Sequence, residues 1–305
     1  MKKMLTLLCL LLTLCAPAVL AESAVQVSFG AVSVPADAAY IDLGEQVVED
    51  WDAYVAFLNE LPNLKKADMF ATVVERRDIK LLEEHFPDVR FGWTIHIARE
   101  HYIRTDQTAF STLHGSCPNH TSKEFEVLKY CTELRALDIG HNNVTDLSFL
   151  KPLTKLRVLI LACNPELRNI DVLAELKDLE YLELFSCNIY NLAPLKELPR
   201  LMDLDIAYNK IGKYDALYEM PQLRRLWMPQ SGLPIRGEKF EALQAALPDT
   251  WIMTDGHPTA NGWREGNHYE TIYAMFRADE YMPFEDSYPL GDEDMPTEND
   301  IVPLN

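Results

Sequence analysis

Residues 134–147 read LRALDIGHNNVTDL, and four later segments of the chain repeat this pattern. The five repeats begin at leucines spaced 22, 23, 22 and 22 residues apart. These leucines are Leu134, Leu156, Leu179, Leu201 and Leu223. The shared frame is LxxLxLxxNxL, and the second repeat takes its extra residue near Pro165-Glu166. Self-similarity at a fixed short period predicts a stack of equivalent supersecondary units.

Each repeat opens with alternating apolar residues, which is the period-two pattern of a short strand. A single unit cannot bury its leucines, but stacked units place each row of leucines against the next and form a continuous core. Asn142, Asn164 and Asn209 fall at the turn after the strand, where we expect them to bond backbone groups of the adjacent coil. Cys187 and Ser231 take that position in the other two repeats as small substitutes.

Over residues 134–233 this pattern resembles the short, internalin-like class of bacterial leucine-rich repeats. The resemblance implies an α/β leucine-rich-repeat solenoid with a curved parallel sheet on the concave face. It also implies short helices or turns on the convex face, terminal caps and an asparagine ladder. The stretch GWREGNHYETIYAMF at 262–276 is similar to exported repeat proteins of gut Firmicutes, which indicates a source but no activity.

The N-terminus has the pattern of an export signal. Lys2 and Lys3 precede the apolar stretch 5–14, and Val19-Leu20-Ala21 forms a signal-peptidase site. Cleavage after Ala21 predicts a secreted or cell-surface protein. The rest of the chain divides into a linker at 22–37, an N-terminal cap of degenerate longer repeats at 38–131, core repeats at 132–254, a C-terminal cap at 255–284 and a disordered acidic tail at 285–305.

The flanking regions carry recognisable element signals. Strands are predicted at 40–43 and 64–69, helices at about 50–61 and 78–86, and a β-hairpin from 89–97 and 101–105. Thr121 and Glu124 form a capping-box start for a helix that reaches about Cys131. Further on, a helix at 239–247 and a last strand at 251–254 precede a helix at 269–277, which we expect to close the open edge of the sheet.

The charge balance excludes several classes of partner. The chain has 28 basic and 47 acidic residues, and removal of the signal leaves 26 against 47, a net charge of −21. Such a charge disfavours nucleic acid and anionic membrane surfaces and favours cationic partners. Beyond the signal, no uninterrupted run of eighteen apolar residues predicts a transmembrane segment in the mature chain.

Alternation along the strands gives a map of the concave face. If the apolar residues at positions 4 and 6 of each repeat point inward, positions 3, 5 and 7 face solvent, with position 8 at the edge. Aromatic rings beside charged groups are typical of protein interfaces, and they also suit sugar rings. The predicted partner-binding residues are Asp138, Ile160, Tyr181, Glu183, Phe185, Asp203, Asp205, Tyr208, Arg225 and Trp227.

Three patterns that resemble catalytic or metal sites lack a complete motif. HGSCPNH at 114–120 offers histidine and cysteine as zinc ligands but has no fourth ligand at a recognisable distance. Cys117 with His141 lacks a nucleophile motif, and the pair Asp203 and Asp205 is a general consequence of strand alternation. We therefore predict no cofactor and no metal. Whether Cys117, Cys131, Cys163 and Cys187 form disulfides stays open.

The sequence thus favours a monomeric, non-catalytic extracellular module that binds a protein or glycan on the concave face. The alternatives are a structural or assembly component of an envelope complex and a hydrolase with a site in the N-terminal section. If the face is exposed, Tyr181→Ala or Trp227→Ala leaves folding nearly intact. Leu182→Ala, in contrast, costs about 2–5 kcal/mol because it leaves a cavity in the core.

Overall fold

A computed structural model describes residues 25–97, 100–113, 119–259 and 263–283, with the side chains of 266–268 outside the description. The predictions for the signal peptide, for the acidic tail at 285–305 and for Cys117 lie outside these residues. Within the described ranges, no helix is both long and apolar enough to cross a membrane.

The N-terminal part of the chain forms a hairpin and a four-stranded sheet. In the hairpin, β1 (Gln26–Phe29) pairs antiparallel with β2 (Val32–Pro35). The sheet, which we call the N-terminal sheet, has the order β3 (Tyr40–Asp42), β4 (Lys66–Val74), β5 (Arg90–Ile97) and β6 (His101–Arg104). Its first three strands are parallel, and β6 returns antiparallel to β5, which confirms the predicted hairpin.

Two helices connect these strands, and both begin at capped ends. Helix α1 (Trp51–Asn59) follows Asp50, whose side chain accepts a hydrogen bond from Ala53 N at 2.9 Å. Helix α2 (Arg76–His85) starts with a reciprocal capping box. Such caps satisfy backbone N–H groups that have no partner inside the helix. Both predicted helices are confirmed, with ends shifted by a few residues.

Two of the predicted divisions in this region contain strands that the sequence pattern did not indicate. The range 22–37 was expected to be a linker, but it contains the β1–β2 hairpin. The range 38–131 was expected to be an N-terminal cap, but β7 (Ala109–Ser111) inside it is the first strand of the repeat sheet. Strands of three or four residues carry too few alternations to be distinguished from a loop by pattern. The N-terminal strands form their own sheet, although the hydrophobic core is continuous across both sections.

The repeats form one parallel sheet, the repeat sheet, whose spatial order follows the sequence. Its strands are β7, β8 (Ala136–Asp138), β9 (Val158–Ile160), β10 (Tyr181–Glu183), β11 (Asp203–Asp205), β12 (Arg225–Trp227) and β13 (Trp251–Met253). One leucine from each of the five repeats pairs in register with the next, and all five are 0% exposed. They are Leu137, Leu159, Leu182, Leu204 and Leu226. This single buried column confirms the α/β leucine-rich-repeat solenoid.

Short 3-10 helices return the chain from one strand to the next. They cover Ser148–Leu150, Asp171–Glu175, Ala193–Glu197 and Asp215–Glu219. In the first three, a side-chain oxygen two residues earlier accepts a hydrogen bond from the backbone N–H of the first helical residue, at 2.7–3.0 Å. The acceptors are Asp146, Asn169 and Asn191. Asp and Asn favour such local bonds, so they fix the point at which each return begins.

The predicted asparagine ladder is present. Asn164 is fully buried, accepts a hydrogen bond from Val144 N at 2.8 Å and donates to the carbonyls of Ile139 and Leu161. Asn142 and Asn209 make equivalent bonds. The ladder therefore joins neighbouring coils through buried backbone groups that would otherwise be unpaired.

The remaining helices lie at the two ends of the repeats. Helix α3 (Ser122–Phe125) begins with the predicted capping box and continues as a 3-10 turn to Tyr130. Helix α4 (Glu238–Ala246) precedes β13, and α5 (Gly266–Ala278) ends at Asp279, which has a φ of 53°. All three helices were predicted, but α5 does not lie at the open edge of the sheet, where it was expected.

Candidate functional site: the concave face and the C-terminal strap

The structure brings the predicted binding residues together on one face of the repeat sheet. Asp138, Ile160, Glu183, Asp205 and Trp227 are successive register partners across β8 to β12. Tyr181, Asp203 and Arg225 form a second row on β10 to β12. The strand register predicted from alternation is therefore correct. We keep the name concave face for this set together with Phe185 and Tyr208.

The expectation that this face meets solvent is wrong. Of the ten predicted residues, Tyr208 is half-buried and the other nine are at most 6% exposed. Tyr181, Glu183, Asp203, Asp205, Arg225 and Trp227 are all 0% exposed. The expectation that Tyr181→Ala or Trp227→Ala would leave folding nearly intact consequently no longer holds. Both rings have the burial of core residues.

The cover is the chain's own C-terminal segment, residues 263–283, which we call the C-terminal strap. Helix α5 was expected to close the open edge of the sheet, but it lies on the concave face beside β7 and β8. Ile272, Met275 and Phe276 of the strap pack with residues of the sheet in a second buried cluster, separate from the leucine core. A face that carries so much apolar surface is stabilised when it is covered.

Trp263 fills an aromatic slot at one end of the concave face. Its ring is 0% exposed and lies 5.3 Å from the Tyr181 ring and 5.2 Å from the Trp227 ring, centroid to centroid. The Arg225 guanidinium sits 4.7 Å from its ring centroid. Indole Nε1 donates to Glu183 Oε1 at 2.9 Å. Stacking, a cation–π contact and a hydrogen bond thus hold one side chain.

Glu183 is the polar centre of the covered face. Its carboxylate accepts hydrogen bonds from Trp263 Nε1, from the Tyr181 hydroxyl and from two guanidinium nitrogens of Arg264. Burial alone would lower the pKa of Arg264, but the charge and hydrogen bonds of Glu183 raise it. Burial and the nearby Glu183 charge raise the pKa of Tyr181 well above its usual range. Arg264 is therefore held as a cation and Tyr181 as a neutral donor.

A second ion pair lies within the sheet itself. Arg225 donates from Nε to Asp203 Oδ1 at 2.9 Å and from a terminal nitrogen to Asp203 Oδ2 at 3.1 Å. Both side chains are 0% exposed. A buried pair of this kind adds little stability by itself but becomes costly when one partner is lost. Asp203 therefore has its own cation, whereas Glu183 depends on the strap.

Two further carboxyls lie on the face with few partners. Burial raises the pKa of Asp138 to about 6, against the hydrogen bonds from Gly140 N and Ser111. Burial also raises the pKa of Asp205 well above its usual range, with a second contribution from the Glu183 charge. Asp205 Oδ1 accepts from Ala207 N at 2.9 Å, and its Oδ2 lacks a hydrogen-bond partner among the described residues. Both groups consequently favour protonation while the strap is closed.

The far end of the strap is fixed beside the first repeat strand. Tyr281 N donates to Thr108 Oγ1 at 2.8 Å. The guanidinium groups of Arg135 and Arg157 lie 5.6 and 5.4 Å from the Tyr281 ring centroid. The strap is thus fastened at Trp263, near β12, and at Tyr281, near β7, and α5 lies between these two points beside β7 and β8.

The carboxylates of the concave face are buried and accept hydrogen bonds from arginine, tryptophan, tyrosine, serine or backbone N–H groups. Among the residues that the structure covers, no group of three or more His, Cys, Asp and Glu is placed to hold a metal ion. Cys131, Cys163 and Cys187 are free thiols, and burial raises the pKa of Cys187 to about 12.

The N-terminal sheet carries an open aromatic face. Tyr40 and Tyr102 are 51% and 57% exposed. The Arg104 guanidinium lies 4.2 Å from the Phe70 ring centroid, and His96 stacks on Tyr102 with centroids 4.6 Å apart. None of the strap contacts described above reaches these residues. This aromatic face, Tyr40, Phe70, His96, Tyr102 and Arg104, is therefore accessible when the strap is closed.

Sequence reasoning missed Trp263, Arg264 and Tyr281, although two signals were present. Residues 158–162 read VLILA, and a continuous apolar run is typical of a strand buried on both faces. In α5, Ile272, Met275 and Phe276 follow a helical three-and-four spacing that marks one apolar side. Together they indicate a helix seeking an apolar sheet face. The pairing of Arg264 with Glu183 has no local signal, because 81 residues separate the two.

Comparisons with known proteins agree with the repeat assignment. Residues 132–175 match the family described as "Leucine Rich repeats (2 copies)". No curated protein matches the chain in sequence.

Similar solved structures come from bacterial repeat proteins. Internalin C2 of Listeria monocytogenes is 19% identical, with a TM-score of 0.38, over 72% of this chain and 80% of its own. A second Listeria monocytogenes internalin, inlF, is 17% identical, with a TM-score of 0.36, over 74% and 64%. A leucine-rich-repeat protein of Leptospira interrogans is 15% identical, with a TM-score of 0.37, over 65% and 50%.

Proposed function

Because residues 132–175 match a leucine-rich-repeat family and the repeats fold into one solenoid, we propose that this chain is a non-catalytic recognition module that acts outside the cell. In this proposal a protein partner binds the concave face after the C-terminal strap has moved away. The supporting observation is the strap itself. The face holds a segment of about twenty residues through stacked rings, a charge pair and apolar contacts, so its surface is suited to a polypeptide.

The strap changes how such binding is measured. A partner must displace a segment tethered in the same chain, whose effective concentration is on the order of millimolar. Wild-type protein therefore binds weakly unless the partner adds contacts beyond those of the strap. Weakening the strap should increase the apparent affinity, because it raises the fraction of molecules with an open face.

The test is an array of host proteins, bacterial proteins and glycans probed with four full-length chains, the wild type and three variants. Arg264→Ala removes the cation that pairs with Glu183 and should strengthen binding to the true partner at least tenfold. Adding Trp227→Ala to that variant should abolish the gain, and circular dichroism checks that the repeats stay folded, because this ring is buried. Tyr273→Ala, on the exposed side of α5 at 49% exposure, is the control and should behave as wild type. Binding that is equally strong in the wild type, in Arg264→Ala and in the variant that also carries Trp227→Ala contradicts the proposal.

Export is the second part of the proposal. The signal pattern that ends at Ala21 supports secretion, and the mature protein should begin at Glu22. Expression of the full gene in a Gram-positive host, followed by intact mass measurement of protein from the medium, tests this. Protein that stays in the cell with its first twenty-one residues intact would contradict it.

A second candidate ligand is a glycan at the open aromatic face of the N-terminal sheet. The exposed rings of Tyr40 and Tyr102 offer stacking surfaces, and Arg104 and Asp106 offer polar groups beside them. Glycan binding there should be lost in Tyr40→Ala or Tyr102→Ala and unchanged in Arg264→Ala. Loss in the strap variant instead would place the glycan on the concave face.

A further inference from the structure

The strap shows which side chains the concave face selects. Trp263 and Arg264 are adjacent in sequence and lie just before helix α5. Trp263 is enclosed by Tyr181, Trp227 and Arg225, and its indole N–H is paired with Glu183. No simple aliphatic side chain can supply both the ring stack and this hydrogen bond. The slot is therefore specific for an aromatic donor, and the indole satisfies it completely.

Glu183 makes the adjacent cation a second requirement. It is 0% exposed, and it receives both Nε and a terminal nitrogen of Arg264. Such a two-point contact matches a guanidinium, whereas the ammonium group of lysine cannot reproduce it. Arg225, on the same face, is already engaged by Asp203. When a protein partner replaces the strap, it must bring a new cation to Glu183 or leave a buried charge uncompensated.

We propose that the partner carries an exposed Trp-Arg pair just before a helix, so that the C-terminal strap is an internal copy of the ligand. This inference rests on the proposed function and adds the chemistry of the partner. Trp and Arg are also the residue types that contribute most to binding at protein interfaces. Specificity follows because a ligand lacking either side chain leaves the aromatic slot or Glu183 unsatisfied.

The charges of the concave face also suit a cationic partner. Around the Trp263–Arg264 site, the acidic groups Asp138, Glu183 and Asp205 share the face with the cation Arg225, which is bonded to Asp203. Two further cations, Arg135 and Arg157, lie at the other end of the strap beside Tyr281. An opened face is therefore acidic and aromatic around Glu183. It attracts a cationic, aromatic segment by charge complementarity and disfavours an acidic one.

The test uses a fluorescent peptide of residues 257–283 and full-length receptors. The first receptor carries Trp263→Ala and Arg264→Ala, which weaken its own strap. The second carries Arg264→Ala alone, which keeps the apolar cover and serves if the double variant folds poorly. Circular dichroism and hydrogen exchange of the repeat strands confirm folding, and exchange in α5 reports strap opening. Peptide binding is followed by fluorescence anisotropy.

The peptide should bind the weakened receptors at least tenfold more tightly than the wild-type chain, whose strap competes. Changing Trp263 or Arg264 to Ala within the peptide should weaken binding at least tenfold, whereas changing Tyr273 should not. Adding Glu183→Gln to a receptor should remove its preference for the arginine peptide.

Two contrary results are distinguishable. An α5 that stays protected in both receptors, with or without array partners, overturns the proposed function and this inference together. An open face that binds all the peptides equally, or binds none of them, overturns the Trp-Arg inference alone. Recognition by the concave face would then rest on other contacts, and the array test would still measure it.

Discussion

At the residue scale, each strand from β8 to β12 is followed three residues later by a left-handed residue that is not glycine. The φ angles at position 8 lie between 48° and 57°. The residues are His141, Cys163, Ser186, Tyr208 and Gln230. This conformation costs an L-residue about 1–2 kcal/mol because its Cβ crowds the backbone. The cost recurs in each repeat because the left-handed turn directs the chain into the ladder position, which is the next residue.

Replacing His141 by glycine should therefore stabilise the protein. His141 is exposed, so its side chain contributes little packing. We expect the free energy of unfolding to rise by about 1 kcal/mol, net of the greater freedom of glycine in the unfolded chain. Urea denaturation measures the change. His141→Ala, which keeps the Cβ, should give no gain. An equal gain for alanine would show that the imidazole, and not the backbone, is responsible.

Neighbouring asparagines allow a matched test of the ladder. Asn164 is fully buried with three hydrogen bonds, whereas Asn143 is exposed and makes one at 3.3 Å. Asn164→Ala leaves Val144 N unpaired and removes one of two hydrogen bonds from each of the carbonyls of Ile139 and Leu161. We therefore expect unfolding to become easier by about 3 kcal/mol. Asn143→Ala should stay within about 0.5 kcal/mol of wild type. Equal effects in thermal or urea melts would contradict a structural ladder.

At the scale of the element, closure of the strap should depend on pH. The carboxyls of Asp138 and Asp205 lie under the strap with raised pKa values, and Glu183, Arg264, Arg225 and Tyr269 surround them. Because their pKa is higher in the closed state, that state binds protons more tightly, and acid favours closure. The stabilisation is complete below about pH 4, the ordinary pKa, and decreases as the pH rises through about 6 for Asp138 and further for Asp205.

Hydrogen exchange of α5, corrected for its intrinsic pH dependence, measures this effect between pH 4 and 8. Protection should fall with rising pH, and Asp138→Asn should raise protection at pH 8 and flatten the profile. For Asp138 alone the change is at most about 3 kcal/mol. Thr145→Ala, an exposed change in a loop away from the strap, is the control. Protection that increases from pH 4 to pH 8 would reverse the predicted sign.

Most strands and helices were predictable because they carry their own local signal, such as the leucine column or the Thr121–Glu124 capping box, whereas the short strands β1, β2 and β7 carry too few alternations. The site was predictable only in part. Alternation correctly placed Tyr181, Glu183 and Trp227 on one face, because register is a local property. What covers that face is decided by a contact between Glu183 and Arg264, which are distant in sequence. Strand alternation gives two faces but does not say whether one, or both, are buried.

At the scale of the whole molecule, the two sheets share one core. Residues of both sections belong to a single continuous cluster of buried side chains. The ring centroids of Trp93, in β5, and Tyr130, in the turn after α3, are 5.7 Å apart. Arg76 of α2 donates a hydrogen bond to Glu126 in the same turn. The continuous buried cluster couples the two sections, so the stability of one section depends on the other.

The turn after α3 should therefore control both sheets. Leu128 is fully buried there, and Leu128→Ala should lower the free energy of unfolding by about 2–5 kcal/mol through the cavity it leaves. Because the core is continuous, hydrogen exchange at low denaturant should show similar losses of protection in β4 and β10. Tyr102→Ala, an exposed change at the edge of the N-terminal sheet, should affect neither. If protection falls in β4 alone, the N-terminal sheet unfolds as a separate unit and only the repeats support the concave face.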